Sequence, residues 1–377
     1  MPERLERYVL SVIGDPPRPG VAADVTRGFL GGCARLYDIG LEAYLTAETV
    51  GLRRRGHLPL PVVSIGNLSV GGTGKTPMTQ WLCRRLQADG KRVAVLSRGH
   101  GGETRGVGVV SDDAGRVHLD AARAGDEPVL LARTLPGVPV LVGKDRRLSG
   151  REALRRFGLG AVVLDDGFQF WQLARDLDIV LLDARRPFDN GFPLPRGRLR
   201  EPERHLRRAG VVVATRAGGL TAGGRAALAA QARVLAPNAP LFFADHRGVG
   251  FVPASDLAAP LLPLDALAGQ AVHAVSAIAQ PDSFRRTLER EAGARVLSLR
   301  AWGDHHRFSA EEARAVLRDA AVAGAAALVM TEKDAVKWPV GEGPGTDAAV
   351  VPVLALRIEM AFEDEAGFWA SVISRLG

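Results

Sequence analysis

A chain of 377 residues is long enough for two domains with proper cores, and 46% hydrophobic content argues against a disordered chain. The net charge of +7 and pI near 10 suit an acidic partner, whether nucleic acid, an anionic membrane surface or a phosphorylated substrate, without choosing among them. Two cysteines, Cys33 and Cys83, fall in predicted helices without metal-ligand spacing, so neither a disulfide framework nor a zinc site is indicated and a reducing compartment fits.

The first twenty residues carry charges and prolines where a secretory signal would be apolar, and no stretch reads as a spanning helix. Residues 21–52 predict an amphipathic helix. Phe29, Leu30, Cys33, Leu36, Tyr37, Leu41, Tyr44 and Leu45 recur at helical spacing, with Arg27, Arg35, Asp38 and Glu42 on the other side. The run Arg53-Arg54-Arg55 follows. Such a helix fits the headgroup region of an anionic membrane and fits equally well packed on its own domain.

Residues 62–77 (VVSIGNLSVGGTGKTP) are the focus of the chain. Val62, Val63 and Ile65 predict a short buried strand, and residues 78–88 a helix. Between them lie Ser69, Val70, Gly71, Gly72, Thr73, Gly74, Lys75 and Thr76, a candidate phosphate-binding loop. Its glycines free backbone N–H groups to turn inward around phosphate oxygens, Lys75 reaches the β- and γ-phosphates, and the Thr76 hydroxyl holds Mg²⁺. Ser69 stands where a strict P-loop has its first glycine, so Gly71 and Gly72 must supply the flexibility. The competing reading is an ordinary glycine-rich turn. Lysine is almost absent from the chain, yet one copy occupies the phosphate position.

Strand and helix then alternate. Residues 92–97, 138–142, 161–164, 179–182 and 211–214 predict strands, and residues 120–133 and 147–157 predict helices. This is the pattern of a mostly parallel sheet with helices on both faces and ligand-binding loops after the strands. Asp126 and Glu127 form paired carboxylates at a turn, which a solvated helix N-terminus would also explain. Asp165-Asp166-Gly167-Phe168-Gln169 ends an apolar run, where a Mg²⁺ ligand is expected beside a P-loop; a plain strand-ending turn is the alternative. For Asp183-Ala184-Arg185 the turn reading is the stronger. The proline- and glycine-rich residues 187–203 carry Arg200, suited to countering charge on a transferring phosphoryl group, and Glu201, suited to the Mg²⁺ shell, unless the segment is only a solvated basic loop.

From about Pro237 proline- and alanine-rich sequence through Pro263 predicts a connection to a smaller second domain. Residues 271–279 and 295–299 predict strands and residues 282–291 a helix. Asp304-His305-His306 then precedes a helix opened by Ser309 and Glu312 in capping-box spacing. A strand (ALVM) and a polar turn, Thr331-Glu332-Lys333-Asp334, follow. Adjacent histidines beside an aspartate point to proton transfer, although a lone histidine is commonly structural.

Taken in order, residues 67–77 (NLSVGGTGKTP), Ser97-Arg98-Gly99, Gly125-Asp126-Glu127-Pro128, Asp165-Asp166-Gly167-Phe168-Gln169, Pro195-x-Gly197-x-Leu199-Arg200-Glu201-Pro202, Asp304-His305-His306 and Thr331-Glu332-Lys333-Asp334 closely resemble the tetraacyldisaccharide 4'-kinases of lipid A biosynthesis. The resemblance implies a P-loop α/β domain, a mostly parallel sheet flanked by helices, joined to a smaller C-terminal α/β domain with the active site in the cleft, and an N-terminal amphipathic helical segment. The corresponding spans are residues 59–240, 241–377 and 1–58. It also implies ATP and Mg²⁺ as cofactors and transfer of the γ-phosphate to the 4'-hydroxyl of a tetraacylated glucosamine disaccharide 1-phosphate. Attachment is then expected to be peripheral, on the cytoplasmic face of the bacterial inner membrane, at its anionic surface, with no nucleic acid and no obligate protein partner.

By the same similarity Asp126, paired with His305, is the general base; Thr76, Asp165 or Asp166, Gln169 and Glu201 serve Mg²⁺ and phosphate positioning; Lys75 and Arg200 counter negative charge. His100 stands where the family has an aromatic, and Ala277-Ile278-Ala279-Gln280-Pro281 loosens a Gly-Ile-x-x-Pro segment; neither is expected to touch the chemistry. A membrane-positioning switch ATPase would use the same P-loop but leaves Asp126 and His305 idle. A nucleic-acid-binding protein fits the pI but not the 6% aromatic content or the scattered arginines.

Overall fold

The computed structural model describes residues 2–14, 17–52, 54–339 and 351–376; Arg53 of the basic run lies outside them. Two helices come first, α1 (Pro2–Ile13) and α2 (Val21–Thr49), then strand β1 (Val62–Asn67) and helix α3 (Lys75–Ala88). Next are β2 (Val93–Ser97), β3 (Gly108–Ser111), α4 (Ala121–Ala124), α5 (Asp126–Thr134), β4 (Val140–Val142), α6 (Arg146–Arg156), β5 (Ala161–Asp165), β6 (Leu177–Asp183) and β7 (Val211–Thr215). The chain continues through α7 (Ala222–Leu235), β8 (Leu241–Pro253), β9 (Ala271–Ser276), α8 (Pro281–Arg290), β10 (Arg295–Ala301) and α9 (Ala310–Val322). It closes with β11 (Ala327–Thr331), α10 (Glu332–Ala335), β12 (Val353–Phe362) and α11 (Glu365–Ile373).

These elements form two compact units. The first gathers Met1–Lys75, Asp166–Asp245 and Phe362–Gly377. In it β1 pairs in parallel with β6, β6 with β7, and β7 with the start of β8. Every residue of β1 is buried, as a parallel strand covered on both faces requires, which is why it reads as an unbroken apolar run. Leu68, Phe168, Val180, Leu182, Leu199, Leu206 and Val212 pack into one core. Gly66 is needed here because a Cβ on it would lie 2.4 Å from the Cβ of Phe168.

The second unit comprises Thr76–Asp165 and His246–Ala361. Strands β5, β2 and β4 run parallel, with β3 antiparallel beside β4. A further parallel set, β10, β9, β11 and β12, packs Val272, Phe284, Leu288, Val296 and Val329 into its own core. The fold is therefore α/β with a mostly parallel arrangement flanked by helices, as the alternation predicts. Among the described residues no helix is long and apolar enough to cross a membrane.

Several local expectations are corrected. The helix predicted over residues 120–133 is broken at Gly125, whose φ of 91° ends α4 and starts α5 at Asp126. The supposed connection from Pro237 to Pro263 contains the 13-residue strand β8, where Asp245, His246 and Arg247 interrupt the apolar signal. The turn at Thr331 is the short helix α10, with the Thr331 hydroxyl capping the Asp334 N–H at 3.2 Å. The predicted capping box at Ser309 and Glu312 is present.

Helix α2 divides its apolar residues in a way the pattern did not foresee. Leu41 packs inward with Ala23 and Ala34, whereas Phe29 and Leu36 are 70% and 72% exposed. The exposed set Val21, Val25, Phe29, Leu36 and Ile39 falls within a stripe about 80° wide at 100° per residue. Asp38 and Glu42, on the other side of the helix from the apolar residues in the sequence pattern, reach Arg204 at 2.5 and 2.8 Å.

Candidate active site

In the first unit the P-loop leaves β1 and enters α3. Gly71 and Gly74 take φ values of 123° and 95°, backbone that favours glycine, so their N–H groups can point where a side-chain-bearing residue would not aim them. A Cβ on Gly72 would meet nothing within 4 Å, which leaves room over the loop. The Asn67 amide donates to the Thr73 hydroxyl at 2.9 Å, and the Thr73 carbonyl accepts from the Thr215 hydroxyl at 2.9 Å. The loop is braced from outside as well: Val70 N–H donates to the Arg198 carbonyl, and Arg200 N–H to that of Leu68, so Ser69 bridges Leu199.

This bracing brings residues far apart in sequence to Lys75. Its ammonium lies 3.6 Å from Asp166 and 3.4 Å from the side-chain amide oxygen Oδ1 of Asn67. The Arg200 guanidinium holds both Asp166 oxygens at 2.9 and 2.8 Å. Asp166 sits at φ 53°, a left-handed conformation that aspartate tolerates and that is concentrated at functional sites. Gln169 donates to the Asn67 carbonyl at 2.9 Å and to Glu201 at 3.0 Å. Glu201 is buried, its other oxygen shared by His205 Nδ1 at 2.7 Å and the Arg208 guanidinium. His205, also buried, reaches Glu42 of α2 through Nε2 at 2.8 Å, and the Tyr37 hydroxyl donates to the Arg200 carbonyl at 2.8 Å. The hydrogen bond from His205 holds Glu42 below its ordinary pKa. Glu42 and His205 escaped the sequence reading because their only signal is mutual proximity in the fold.

In the second unit Thr76 stands in the first turn of α3, and Asp165 ends β5 buried, accepting from the hydroxyls of Thr79 at 3.1 Å and Ser97 at 3.3 Å. Asp126 opens α5, where the helix dipole favours a carboxylate. Gly125 is required before it: a Cβ there would lie 2.3 Å from the His100 carbonyl oxygen. His305 Nδ1 meets Asp126 Oδ2 at 3.1 Å, from a backbone at φ 63°. Lys333 steadies the loop, 3.0 Å from Asp304 and 3.4 Å from His305 Nε2. Burial works to raise the Asp304 pKa, but the Lys333 charge and hydrogen bond outweigh it and hold the carboxyl below its usual value. Lys337, 3.6 Å from Asp126 Oδ2, was missed, although the scarcity of lysine could have flagged it.

The two departures from the family pattern both lie in the second unit. The His100 ring stands edge-on to His305 with centroids 6.4 Å apart, and Ala277 N–H donates to Asp334 at 3.1 Å. Among the described residues no three His, Cys, Asp or Glu side chains gather as a metal-ion cluster. The Thr76 hydroxyl and the Asp165 carboxylate of the second unit, and the Asp166 carboxylate of the first, are each hard oxygen donors of the kind Mg²⁺ takes.

A strand, glycine-rich loop and lysine-headed helix, together with a carboxylate–imidazole pair, define a P-loop phosphotransferase. The family described as tetraacyldisaccharide-1-P 4'-kinase matches residues 28–377. A tetraacyldisaccharide 4'-kinase from Anaeromyxobacter dehalogenans strain 2CP-1 is 50% identical over 288 residues, 75% of each chain. One from Geobacter sulfurreducens is 39% identical over 355 residues, 94% of each chain. The crystal structure of LpxK from Aquifex aeolicus in complex with ATP superposes with a TM-score of 0.73 at 29% identity, covering 93% of this chain and all of that one. The chain belongs to the tetraacyldisaccharide 4'-kinase family, and is accordingly a phosphotransferase acting on a hydroxyl group of a lipid disaccharide.

Proposed function

We propose that the protein transfers the γ-phosphate of ATP to the 4'-hydroxyl of a tetraacylated glucosamine disaccharide 1-phosphate, with Asp126 as general base. The observation that carries the reading is the Asp126–His305 contact at the head of α5, which a switch ATPase would not need. In the reaction the 4'-oxygen forms a bond to the γ-phosphorus as the bond from that phosphorus to the bridging oxygen breaks. The hydroxyl proton passes to Asp126, and ADP leaves. His305 holds the carboxylate in place. Lys75 and Arg200 counter charge on the phosphoryl oxygens, where positioning and electrostatics supply most of the catalysis. Thr76 with Asp165 and Asp166 would hold Mg²⁺, which when bound neutralises phosphate charge. Glu201, expected in the metal shell, we assign with Gln169 to support of the Arg200 loop, because its oxygens are engaged by Gln169, His205 and Arg208.

We further propose peripheral attachment to the anionic cytoplasmic face of the inner membrane through the exposed stripe of α2. What supports this is its run of exposed apolar residues together with the chain's positive net charge.

The test is incubation with Mg²⁺, γ-labelled ATP and detergent-dispersed lipid. Label should enter the lipid with the parent protein and fall by at least about 100-fold in Asp126→Ala and in Lys75→Ala, the scale of a lost base or phosphate-binding charge. Nucleotide binding without any lipid labelling would refute the reading and favour a switch ATPase.

A further inference from the structure

The motif Thr331-Glu332-Lys333-Asp334 and the lysine after it have no part in the reaction drawn above. The chain has five lysines, Lys75, Lys91, Lys144, Lys333 and Lys337, among 49 basic residues. Two of those five meet at Asp126 and His305. Lys333 is the more exposed, and its contacts with Asp304 and His305 steady the loop. Lys337 is different. Its side chain is 2% exposed, with the ammonium 3.6 Å from Asp126 Oδ2, 3.3 Å from Asp334 Oδ1 and 5.9 Å from the centre of the Phe308 ring.

Burying a cation costs several kcal/mol unless partners and hydrogen bonds compensate it. Here neither the Lys337 ammonium nor Asp334 Oδ1 has a hydrogen-bond partner among the described residues, so the contacts are those of charge alone. Asp334 is itself fully buried and fixed, its Oδ2 accepting from the Thr331 hydroxyl at 2.7 Å and from Ala277 N–H at 3.1 Å. The cation therefore stands on a rigid support. Both it and His305 Nδ1 approach the same oxygen of Asp126, Oδ2, and no hydrogen bond among the described residues engages Oδ1. An arginine fork would tend to grip both oxygens of the carboxylate; a lysine is a point charge and can hold one.

We infer that Lys337, anchored by Asp334, is a positioning residue for the phosphoryl transfer: with His305 it fixes Asp126 through Oδ2 and leaves Oδ1 for the sugar hydroxyl. This gives the Thr331–Asp334 motif its role, as the mount of the cation, and it rests on the reading of Asp126 as the base.

The test is steady-state lipid phosphorylation by Lys337→Met, Asp126→Asn and the double variant, with thermal midpoints recorded for each. Lys337→Met should lower kcat by about tenfold or more while KM for ATP and lipid stays within about threefold, as expected for loss of an interaction that matters in the transition state. In the Asp126→Asn background it should cost nothing further, because its effect runs through that carboxylate. Lys337→Met paired with Asp334→Asn removes both buried charges, so it guards against misfolding from an uncompensated Asp334, and it should keep the kcat deficit. A wild-type kcat in either Lys337 variant with Asp126→Asn inactive, or an equal loss in both Asp126 backgrounds, would overturn the inference. Wild-type kcat in Asp126→Asn itself would instead overturn the base assignment.

Discussion

Glu201 illustrates how burial changes the meaning of a carboxylate. Read as sequence beside Arg200, it is a candidate metal ligand; in the fold it is buried against Gln169, His205 and Arg208. Burial pushes the Arg208 guanidinium pKa down, and the Glu201 charge works against that shift. Removing one member of such a cluster strands the others. Glu201→Ala is therefore expected to destabilise the fold by about 3–5 kcal/mol, read from the urea midpoint, the usual cost of breaking a buried pair. A direct ligand role would appear differently, as weakened Mg²⁺ dependence of activity with the urea midpoint unchanged.

At the scale of the element, the segment that carries His305 is tied at both ends by carboxylates. Asp304 is held by Lys333 at its start, and Glu312 closes the capping box of α9. The Ser309 backbone N–H, aided by His306, holds Glu312 at a pKa of about 2, despite the opposing effect of burial. A carboxyl depressed in the folded state contributes stability that is complete above its ordinary value near 4.5 and is lost as pH falls from there towards 2. Asp304 acts in the same direction below its ordinary 3.8. Amide hydrogen exchange across residues 302–312, corrected for intrinsic rates, should lose protection between pH 5 and pH 3, to a smaller extent in Glu312→Gln. Because Glu312 is only half-buried and its partners are local, the effect should stay local rather than unfold the protein.

For the whole molecule, the exposed stripe of α2 and the basic composition predict salt-sensitive binding to anionic vesicles. Phe29→Glu combined with Leu36→Glu removes apolar contact and adds two negative charges, so co-sedimentation with phosphatidylglycerol-containing vesicles should fall about tenfold or more. Phosphorylation of a short-chain, detergent-soluble substrate should be little changed. Equal vesicle binding by the variant would dismiss this face of α2 as the attachment surface.

Much of this protein is decided along the chain. Residues 62–77 specify strand, loop and helix locally, because β-branched residues, glycines of free φ and a lysine at the helix head act within a few residues of one another. The alternating apolar runs likewise dictate a parallel α/β fold, since strands covered on both faces must be continuously apolar. The capping box at Ser309 is local too. Tertiary structure decided the remainder: that Asp166 faces Lys75 and Arg200 while Asp165 turns to Thr79 and Ser97, and that Glu42 reaches His205 across 163 positions. It also turned Phe29 and Leu36 outward from a helix whose periodicity alone named one apolar face, and set Lys337 beside Asp126. Local patterns record backbone preference and the period of burial. Which charge meets which depends on segments distant in sequence closing around a shared core, and no window along the chain contains that information.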